Sequence, residues 1–276
     1  MTTILDDIDA RPGSTTSVLR TLVGLYLRRL GGWIAISDLV QLMEDLDVPA
    51  GRTRTGVVRL KQKGLLLADR DGSIGYRLNP DAVPMLARGD RRIFRVRQMA
   101  DSDHWCLVSF SIPESHRDVR HQLRRRLQWI GCGVVSPALW ICPDYLTGEV
   151  EEILSELGIR SYATVFQASE PRVAGTLRDA VREWWDLDGL REEHLRFQDA
   201  ISGLQTDEHQ RNSAAFGNYI QLVDAWRVLP YIDPGLPSSL LPDDWPGQKS
   251  IDDFISLSTR FAAPAWAHVE QRTRID

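Results

Sequence analysis

A strongly basic stretch of the sequence lies between Asp47 and Asp69 and contains no acidic residue. The protein as a whole is acidic, with a formal charge of −5, yet its first 100 residues carry +5 and the remainder −10. A basic segment of this kind in an acidic chain indicates a polyanionic partner. The side chains that could bind such a partner are Arg52, Arg54, Thr55, Arg59, Lys63, Arg70 and Arg77.

The elements that must position these side chains can be predicted from the spacing of apolar residues. A first helix is expected from Ser17 to about Leu30, and a second helix is expected to begin with Ser37 as its N-cap. The third helix should run from about Ala50 to Lys63 and end at Gly64. The basic stretch is therefore predicted to be mainly this third helix.

The third helix can be laid out at about 100° per residue. Arg52, Arg59 and Lys63 then fall within about 40° of one another, and we predict that they form a face that reads DNA bases. The residues predicted to form the buried stripe of the helix are Thr53, Val57 and Leu60.

Two apolar segments flank Asp71-Gly72, a dipeptide typical of a tight β-hairpin turn. Three helices followed by a hairpin predict a winged helix-turn-helix, in which the third helix enters the major groove of double-stranded DNA. Arg70 and Arg77 on the hairpin are expected to contact phosphates. Two alternatives stay open at this point, because basic helix faces are often merely solvated and helix-turn-helix units also bind other proteins.

The rest of the chain has a different pattern of predicted strands and helices. Residues 104–169 follow the order β-α-β-β-α-β, which predicts a ferredoxin-like antiparallel sheet with both helices on one face. The chain after Pro171 is mainly helical, so the predicted fold class is α+β. The expected segments are a mobile tail at 1–16, a winged helix at 17–88, a connector at 89–103, the ferredoxin-like module at 104–169 and a helical C-terminal domain at 170–276.

No sequence motif supports catalysis, since a nucleophile elbow, a P-loop, a dinucleotide fingerprint and a zinc pattern are all absent. His116 and His121 would point about 140° apart on one helix, so they cannot share a metal. The three cysteines form no C-x-x-C pair, which fits a reducing compartment. We expect no enzyme, metal or cofactor, and a cytoplasmic protein without a membrane partner because no signal pattern and no long apolar run occurs.

Several segments together resemble the PaaX family, the repressors of phenylacetate degradation. In the predicted third helix, the run Arg54–Leu60 (RTGVVRL) is similar to the family pattern R-T-A-x-x-R-L. The other segments that carry the resemblance are Leu19–Leu22, Gly31–Trp33, Gly89–Phe94, Trp185–Leu187, Asp233–Pro237 and Leu240–Gly247.

The resemblance implies a homodimeric bacterial repressor of aromatic-acid catabolism. Such a repressor binds operator DNA through its winged helix and is released by phenylacetyl-CoA or a related acyl-CoA thioester. The chain departs from the family pattern at Gly56, where the family has alanine. A glycine in mid-helix costs up to about 1 kcal/mol, so we expect either a less rigid helix or a close approach of its backbone to another group.

For an acyl-CoA effector, the candidate binding element is a second basic helix, which lies in the central module. Arg117, Arg120 and Arg124 lie on one face of this helix and suit the phosphates of CoA. The side chains that could enclose the acyl group are Trp129, Trp140, Trp184 and Trp185. The alternatives are a solvated arginine face that balances an acidic neighbour, and tryptophans that simply fill a core.

The central module also resembles the small CRISPR-associated ferredoxin-like nucleases, which carry an aspartate before Ile-Pro at the end of their first strand. Here Ser111 precedes Ile112-Pro113. A hydroxyl cannot replace a carboxylate as a ligand of a hard metal ion at comparable strength. A metal-dependent nuclease is therefore the disfavoured alternative, and we expect the module to serve as a dimerisation scaffold.

Overall fold

The computed structural model describes residues 11–204 and 212–273. Its helices and sheets confirm the predicted α+β class, with a winged helix, a ferredoxin-like sheet and a helical C-terminal region. The chain divides into two compact units. The first holds the residues up to Phe94, Arg196–Val228 and the residues from Lys249 onward; the second holds Arg95–Leu195 and Leu229–Gln248. The helices after residue 170 are thus shared between the two units.

The first unit begins with the winged helix. Its elements are α1 Thr15–Leu22, β1 Trp33–Ala35, α2 Ile36–Glu44, α3 Ala50–Gln62, β2 Leu66–Asp71, β3 Ser73–Leu78 and α4 Val83–Phe94. Helix α1 is continued by a π-helical turn at Val23–Leu27. The three strands form an antiparallel sheet in the order β1-β3-β2, so β1 adds a third strand to the predicted hairpin.

Two predicted helix starts differ from the observed ones. Helix α1 begins at Thr15 because the side chain of Ser14 accepts a hydrogen bond from the N–H of Ser17 and caps the helix earlier than expected. The prediction of Ser37 as an N-cap is wrong: the chain passes directly from β1 into α2, and the Ser37 hydroxyl donates to Asp38 at 2.8 Å. Residues 1–10 of the predicted tail lie outside the described part of the chain.

The wing is the hairpin of β2 and β3. Gly72 has a φ of 67°, which confirms the tight turn that Asp71-Gly72 predicts. A Cβ atom at Gly75 would lie 2.5 Å from Cζ2 of Trp33, so only glycine allows β1 to pair so closely with β3. The hairpin is therefore fixed both at its tip and at its base.

Two helices of the C-terminal region pack against the winged helix within the first unit: α9 Asn212–Trp226 and α11 Gly247–Arg272. The ring of Tyr26 stacks on Trp266 at 6.0 Å, and the Arg29 guanidinium lies 3.8 Å from the centre of the same indole. Burial raises the pKa of the Tyr26 hydroxyl far above its ordinary value. The aromatic contacts hold α11 against the end of the first helical segment.

The second unit contains the ferredoxin-like module. Its elements are β4 Trp105–Phe110, α5 Arg117–Trp129, β5 Gly133–Ser136, β6 Leu139–Pro143, α6 Thr147–Glu156 and β7 Ala163–Ala168. The strand order is β5-β6-β4-β7 with antiparallel neighbours, as the β-α-β-β-α-β pattern predicts.

Each face of this sheet has its own apolar core. Val108 packs with Leu123 of α5 and Leu154 of α6 on one face. Ile141 packs with Val181 on the other face. Val181 belongs to α7 Leu177–Trp184, and the remaining helices of the chain are α8 Leu187–Ile201 and α10 Leu229–Ile232.

Candidate nucleic-acid interface

Helix α3 carries most of the predicted DNA-contacting side chains. It starts directly after Pro49, a residue whose missing N–H is harmless at the start of a helix. It ends just before Gly64, which adopts a φ of 74°. The buried residues of α3 are Thr53, Gly56, Val57 and Leu60. The predicted buried stripe is therefore confirmed, and the structure adds the glycine to it.

Gly56 lies where α3 packs against α1. A Cβ atom on it would be 3.0 Å from Cδ2 of Leu19 and 3.7 Å from Cγ2 of Thr15. Because Leu19 is fully buried, it has little space to move away. The close approach of the Leu19 and Thr15 side chains to the α3 backbone thus accounts for glycine at a position where the resemblance leads us to expect alanine.

A shallow groove between α1 and α3 brings two of the predicted arginines together. Arg52 and Arg59 line it from α3, and Thr15 and Thr16 line it from the first turn of α1. Nη1 of Arg59 donates to the Thr16 hydroxyl at 3.4 Å. The groove has a volume of about 300 Å³. It combines two guanidinium groups with the N-terminus of a helix, and both attract anions.

Of the other predicted residues of α3, Thr55 also lines this groove, whereas Arg54 and Lys63 do not. Arg54 and Thr55 are exposed, and the Thr55 hydroxyl donates to the carbonyl of Gly51 at 3.1 Å. Lys63 is the half-buried C-cap residue, one position beyond the helix. A cation that the predicted set did not include, Lys61, lies with its Nζ 5.9 Å from the ring centre of Tyr76 in the wing.

The two wing arginines lie on opposite faces of the hairpin, because residues paired across two strands share a face and successive residues alternate. Arg70 is paired with Ile74, whose side chain is 63% exposed. Arg77 belongs to the other face, where its Nε lies 3.6 Å from Oδ2 of Asp69. Arg70 therefore shares a face with Tyr76 and the α3 side of the wing, whereas Arg77 does not.

A buried carboxylate, Asp224 of α9, fixes the position of α1 and hence of α3. It accepts hydrogen bonds from the Ser17 hydroxyl at 2.6 Å, the Thr21 hydroxyl at 2.8 Å and the Gly13 N–H at 2.7 Å. Arg227 Nε lies 3.3 Å from the same carboxylate, and its Nη2 donates to Ser17. The spacing of residues in the sequence does not predict this network. Its one signal is a single carboxylate inside the apolar helix AAFGNYIQLVDAW.

A second polar contact joins α11 to the C-terminal end of α2. Nε2 of His268 lies 2.7 Å from Asp45, and Arg272 donates two hydrogen bonds to the same carboxylate, at 2.9 and 2.7 Å. The helix-turn-helix is thus braced by two C-terminal helices. Each brace links residues more than 200 positions apart, which sequence spacing cannot reveal.

The three arginines of the predicted effector site lie on α5. Nη2 of Arg120 donates to Glu114 at 2.8 Å, and Nε of Arg117 lies 3.4 Å from Nε2 of His121. Arg124 is half-buried. The acidic partner of Arg120 agrees with the alternative that this face balances a carboxylate.

The structure does not bring the four predicted tryptophans together. Trp129 and Trp140 pack in the core between the sheet and α5–α6, whereas Trp184 and Trp185 pack in the core on the opposite face. The indole N–H of Trp185 donates to the Gly131 carbonyl at 2.8 Å. The prediction that these side chains enclose one acyl group is corrected, because the sheet separates the two pairs.

The predicted nuclease position is occupied by an exposed residue directly after β4. The N–H of Ser111 donates to the Tyr162 carbonyl at 2.9 Å. Across residues 11–204 and 212–273, no group of three or more His, Cys, Asp or Glu side chains is placed to hold a metal ion. In the same residues, no helix combines the length and the apolar composition needed to cross a membrane.

Three family models match consecutive parts of the chain. They are described as PaaX-like protein, PaaX protein central Cas2-like domain and PaaX-like protein C-terminal domain, and they match residues 14–82, 98–181 and 185–271. The Transcriptional repressor PaaX of Escherichia coli (strain K12) is 28% identical over 274 residues, covering 96% of this chain and 86% of the relative.

A solved structure, that of an uncharacterized protein from Mycobacterium tuberculosis, has a similar fold. It covers 90% of this chain and 97% of its own length, with a TM-score of 0.59 and 22% sequence identity. At this identity the likeness concerns the fold alone. The three family models, by contrast, follow one another along nearly the whole chain, and on that basis the protein belongs to the PaaX family.

Proposed function

We propose that this protein is a cytoplasmic transcriptional repressor that binds operator DNA through its winged helix. The observation that carries the proposal is the exposed cationic surface of α3, with Arg52 and Arg59 beside a groove suited to an anion. The Escherichia coli relative is named a transcriptional repressor. In this arrangement α3 lies in the major groove, and the face of the wing that carries Arg70 approaches the neighbouring backbone.

The distribution of charge supports the same proposal. The basic first third of the chain is attracted to a polyanion, whereas the acidic remainder is repelled by it. Arg77 contributes less than Arg70, because Asp69 on the same face of the wing offsets its charge. DNA affinity is therefore expected to depend on α3 first and on one face of the wing second.

A homodimer would present two copies of α3 to one DNA duplex. In a two-fold dimer, the two helices enter successive major grooves, so the operator has two half-sites about one helical turn, or a multiple of one turn, apart. The expected footprint is therefore a pseudo-palindrome. Light scattering of the free protein and of its complex with DNA measures whether two chains bind one duplex.

The DNA upstream of the protein's own gene is the first target for a mobility-shift experiment. A discrete complex that resists excess random DNA supports the proposal, and equal binding to both DNAs contradicts it. The same mixture with Mg²⁺ or Mn²⁺ tests the nuclease alternative. Because Ser111 replaces the expected aspartate, the DNA should stay intact.

We also propose that phenylacetyl-CoA, or a related acyl-CoA thioester, releases the protein from DNA. The support is the family resemblance together with the arginines of α5, whose guanidinium groups suit CoA phosphates. Of the four tryptophans, Trp129 lies on the same helix and is half-buried, so it is the one we retain beside the acyl group. Trp140 and Trp185 have structural roles in the two cores.

Thermal unfolding with phenylacetyl-CoA, free CoA and phenylacetate shows which part of this effector the protein binds. A ligand that binds only the folded protein stabilises it by about 2.7 kcal/mol at 100 times its Kd, so a rise in Tm is expected with the thioester. Replacing Arg117 and Arg124 by glutamine should abolish that rise. If no acyl-CoA raises the Tm at millimolar concentration, the effector proposal is contradicted and the DNA-binding proposal is unaffected.

A further inference from the structure

We infer that Thr55, Val58 and Gln62 of α3 read the DNA bases, while the cations on either side of them hold the two phosphate backbones. This inference rests on the proposed DNA-binding function and deepens it. It assigns sequence recognition to residues that the basic pattern does not single out, and it gives Arg59 a positioning role.

The three residues form an outward stripe on α3. At about 100° per residue, the four buried residues of the helix cluster in one direction, and Thr55, Val58 and Gln62 lie within about 60° of one another in the opposite direction. All three are exposed. The side chain of Val58 is 52% exposed, an unusual position for a large apolar residue on a cationic helix.

Cations lie on both sides of this stripe. Arg52 and Arg59 are about 80° to one side, where they line the groove against α1. Arg54 and Lys61 are about 80° to the other side, where Lys61 lies 5.9 Å from the ring centre of Tyr76 in the wing. Within the described residues, none of these four cations forms an ion pair with a carboxylate. The exposed surface of α3 is therefore an uncharged stripe between two positive edges.

This pattern of charge is complementary to a major groove. The groove is about 12 Å wide, with base edges on its floor and a phosphate backbone along each wall. A helix in it directs its most exposed side to the floor and its two flanks to the walls. The uncharged stripe then meets the bases, and the two positive edges meet the two lines of negative charge.

The chemistry of the stripe predicts which bases it prefers. Val58 can contact the C5-methyl group of thymine, and Gln62 can form a bidentate pair with adenine. The Thr55 hydroxyl donates to Gly51 of its own helix, so towards a base it offers an acceptor oxygen and a methyl group. The stripe therefore suits A·T pairs beneath the middle of α3.

Arg59 is the residue whose assigned role differs most from the base-reading role that helical spacing predicts. Its contact with Thr16 directs the guanidinium along the groove towards the first turn of α1. There the positive end of the helix and the guanidinium favour the same negatively charged oxygen. Such a contact fixes the orientation of the protein on the duplex but carries little sequence information.

Selection from a randomised duplex library gives the preferred site of the full-length protein, and binding is then measured on that site and on a scrambled duplex. We expect Val58→Ala and Gln62→Ala to lower affinity for the preferred site by about fivefold to 100-fold, with less than twofold change on scrambled DNA. Arg59→Ala should weaken both duplexes by the same factor and reduce the salt slope by about 0.9. Because these positions are exposed, we expect the variants to remain folded, and unchanged Tm values verify that.

Replacing thymine by uracil in the preferred site removes only the C5-methyl groups. At one position this change should weaken the wild type but leave Val58→Ala unaffected, since the methyl contact is already lost. The inference is overturned if Val58→Ala and Gln62→Ala leave the selected sequence unchanged, or if Arg59→Ala alters it. Failure of the wild type to select any duplex would instead remove the DNA-binding proposal and this inference together.

Discussion

Helices α3 and α5 are both 13 residues long and both rich in arginine, but their charges have different surroundings. Around α5, Arg120 pairs with Glu114 and Arg126 pairs with Glu156. The stretch that contains α3 has no acidic residue, and its cations face an open groove and the wing. The number of arginines in a helix therefore does not identify a DNA-binding surface. The absence of neighbouring carboxylates is the better sign.

The two helices also differ in what holds them in place. Leu123 and Leu127 of α5 are fully buried in the core beneath the sheet. Helix α3 contacts α1 through Gly56, and α1 is fixed by the buried carboxylate of Asp224. The position of the proposed DNA-reading helix thus depends on a polar network in addition to its buried stripe, whereas that of α5 depends on apolar packing.

The largest expected effect comes from breaking that network. Asp224→Ala removes the buried carboxylate that Nε of Arg227 contacts at 3.3 Å, and removing one partner of a buried pair costs about 3–5 kcal/mol. Urea unfolding should show this loss. The double variant Asp224→Leu with Arg227→Met should recover part of it. A change below about 1 kcal/mol in the single variant would mean that the network does not hold α1.

The next effect compares equal losses of charge on the two helices. Arg52→Gln with Arg59→Gln should weaken DNA binding by about tenfold to 100-fold and lower the salt slope by about 1.8, since two phosphate contacts are lost. Arg117→Gln with Arg124→Gln on α5 removes the same charge and should change affinity less than twofold. Similar losses for both pairs, measured by fluorescence anisotropy across a salt series, would refute the distinction between the helices.

A smaller effect is expected where α3 packs on α1. Gly56→Val adds atoms beside the buried Leu19 and should destabilise the fold by about 1–3 kcal/mol. Gly51→Val is the matched control in the same helix, because a Cβ there has no neighbour within 4 Å. Thermal unfolding of both variants measures the difference. Equal Tm values would show that the helices can separate at no cost.

Much of this fold follows from local pattern. Asp71-Gly72 predicts the wing, and the order of strands and helices predicts the ferredoxin-like sheet, because turns and periodicity are encoded over a few residues. The start of α2 is not predictable in this way. Trp33–Ala35 is too short to show an alternating pattern, and only its pairing with β3 makes it a strand.

The candidate site is predictable in composition but not in geometry. The basic segment locates α3, whereas the side that faces α1 is set by Gly56, and the support from Asp224 comes from more than 200 residues away. The prediction that four tryptophans enclose one acyl group is wrong for a related reason. Trp140 lies in one core of the sheet and Trp185 in the other, and sequence distance carries no information about which face each occupies.

The smallest effect concerns the ion pairs that distinguish α5. Arg126 is 14% exposed and Glu156 is 39% exposed, at 2.9 Å, so water partly screens the pair. A double-mutant cycle of Arg126→Ala and Glu156→Ala should give a coupling of about 0.2–1 kcal/mol that shrinks as salt rises. A coupling above about 2 kcal/mol that is insensitive to salt would show that the α5 arginines are structural in the same sense as Arg227. Charge compensation would then no longer separate the two helices, and the uncharged stripe of α3 would be the feature left to mark the proposed DNA-binding helix.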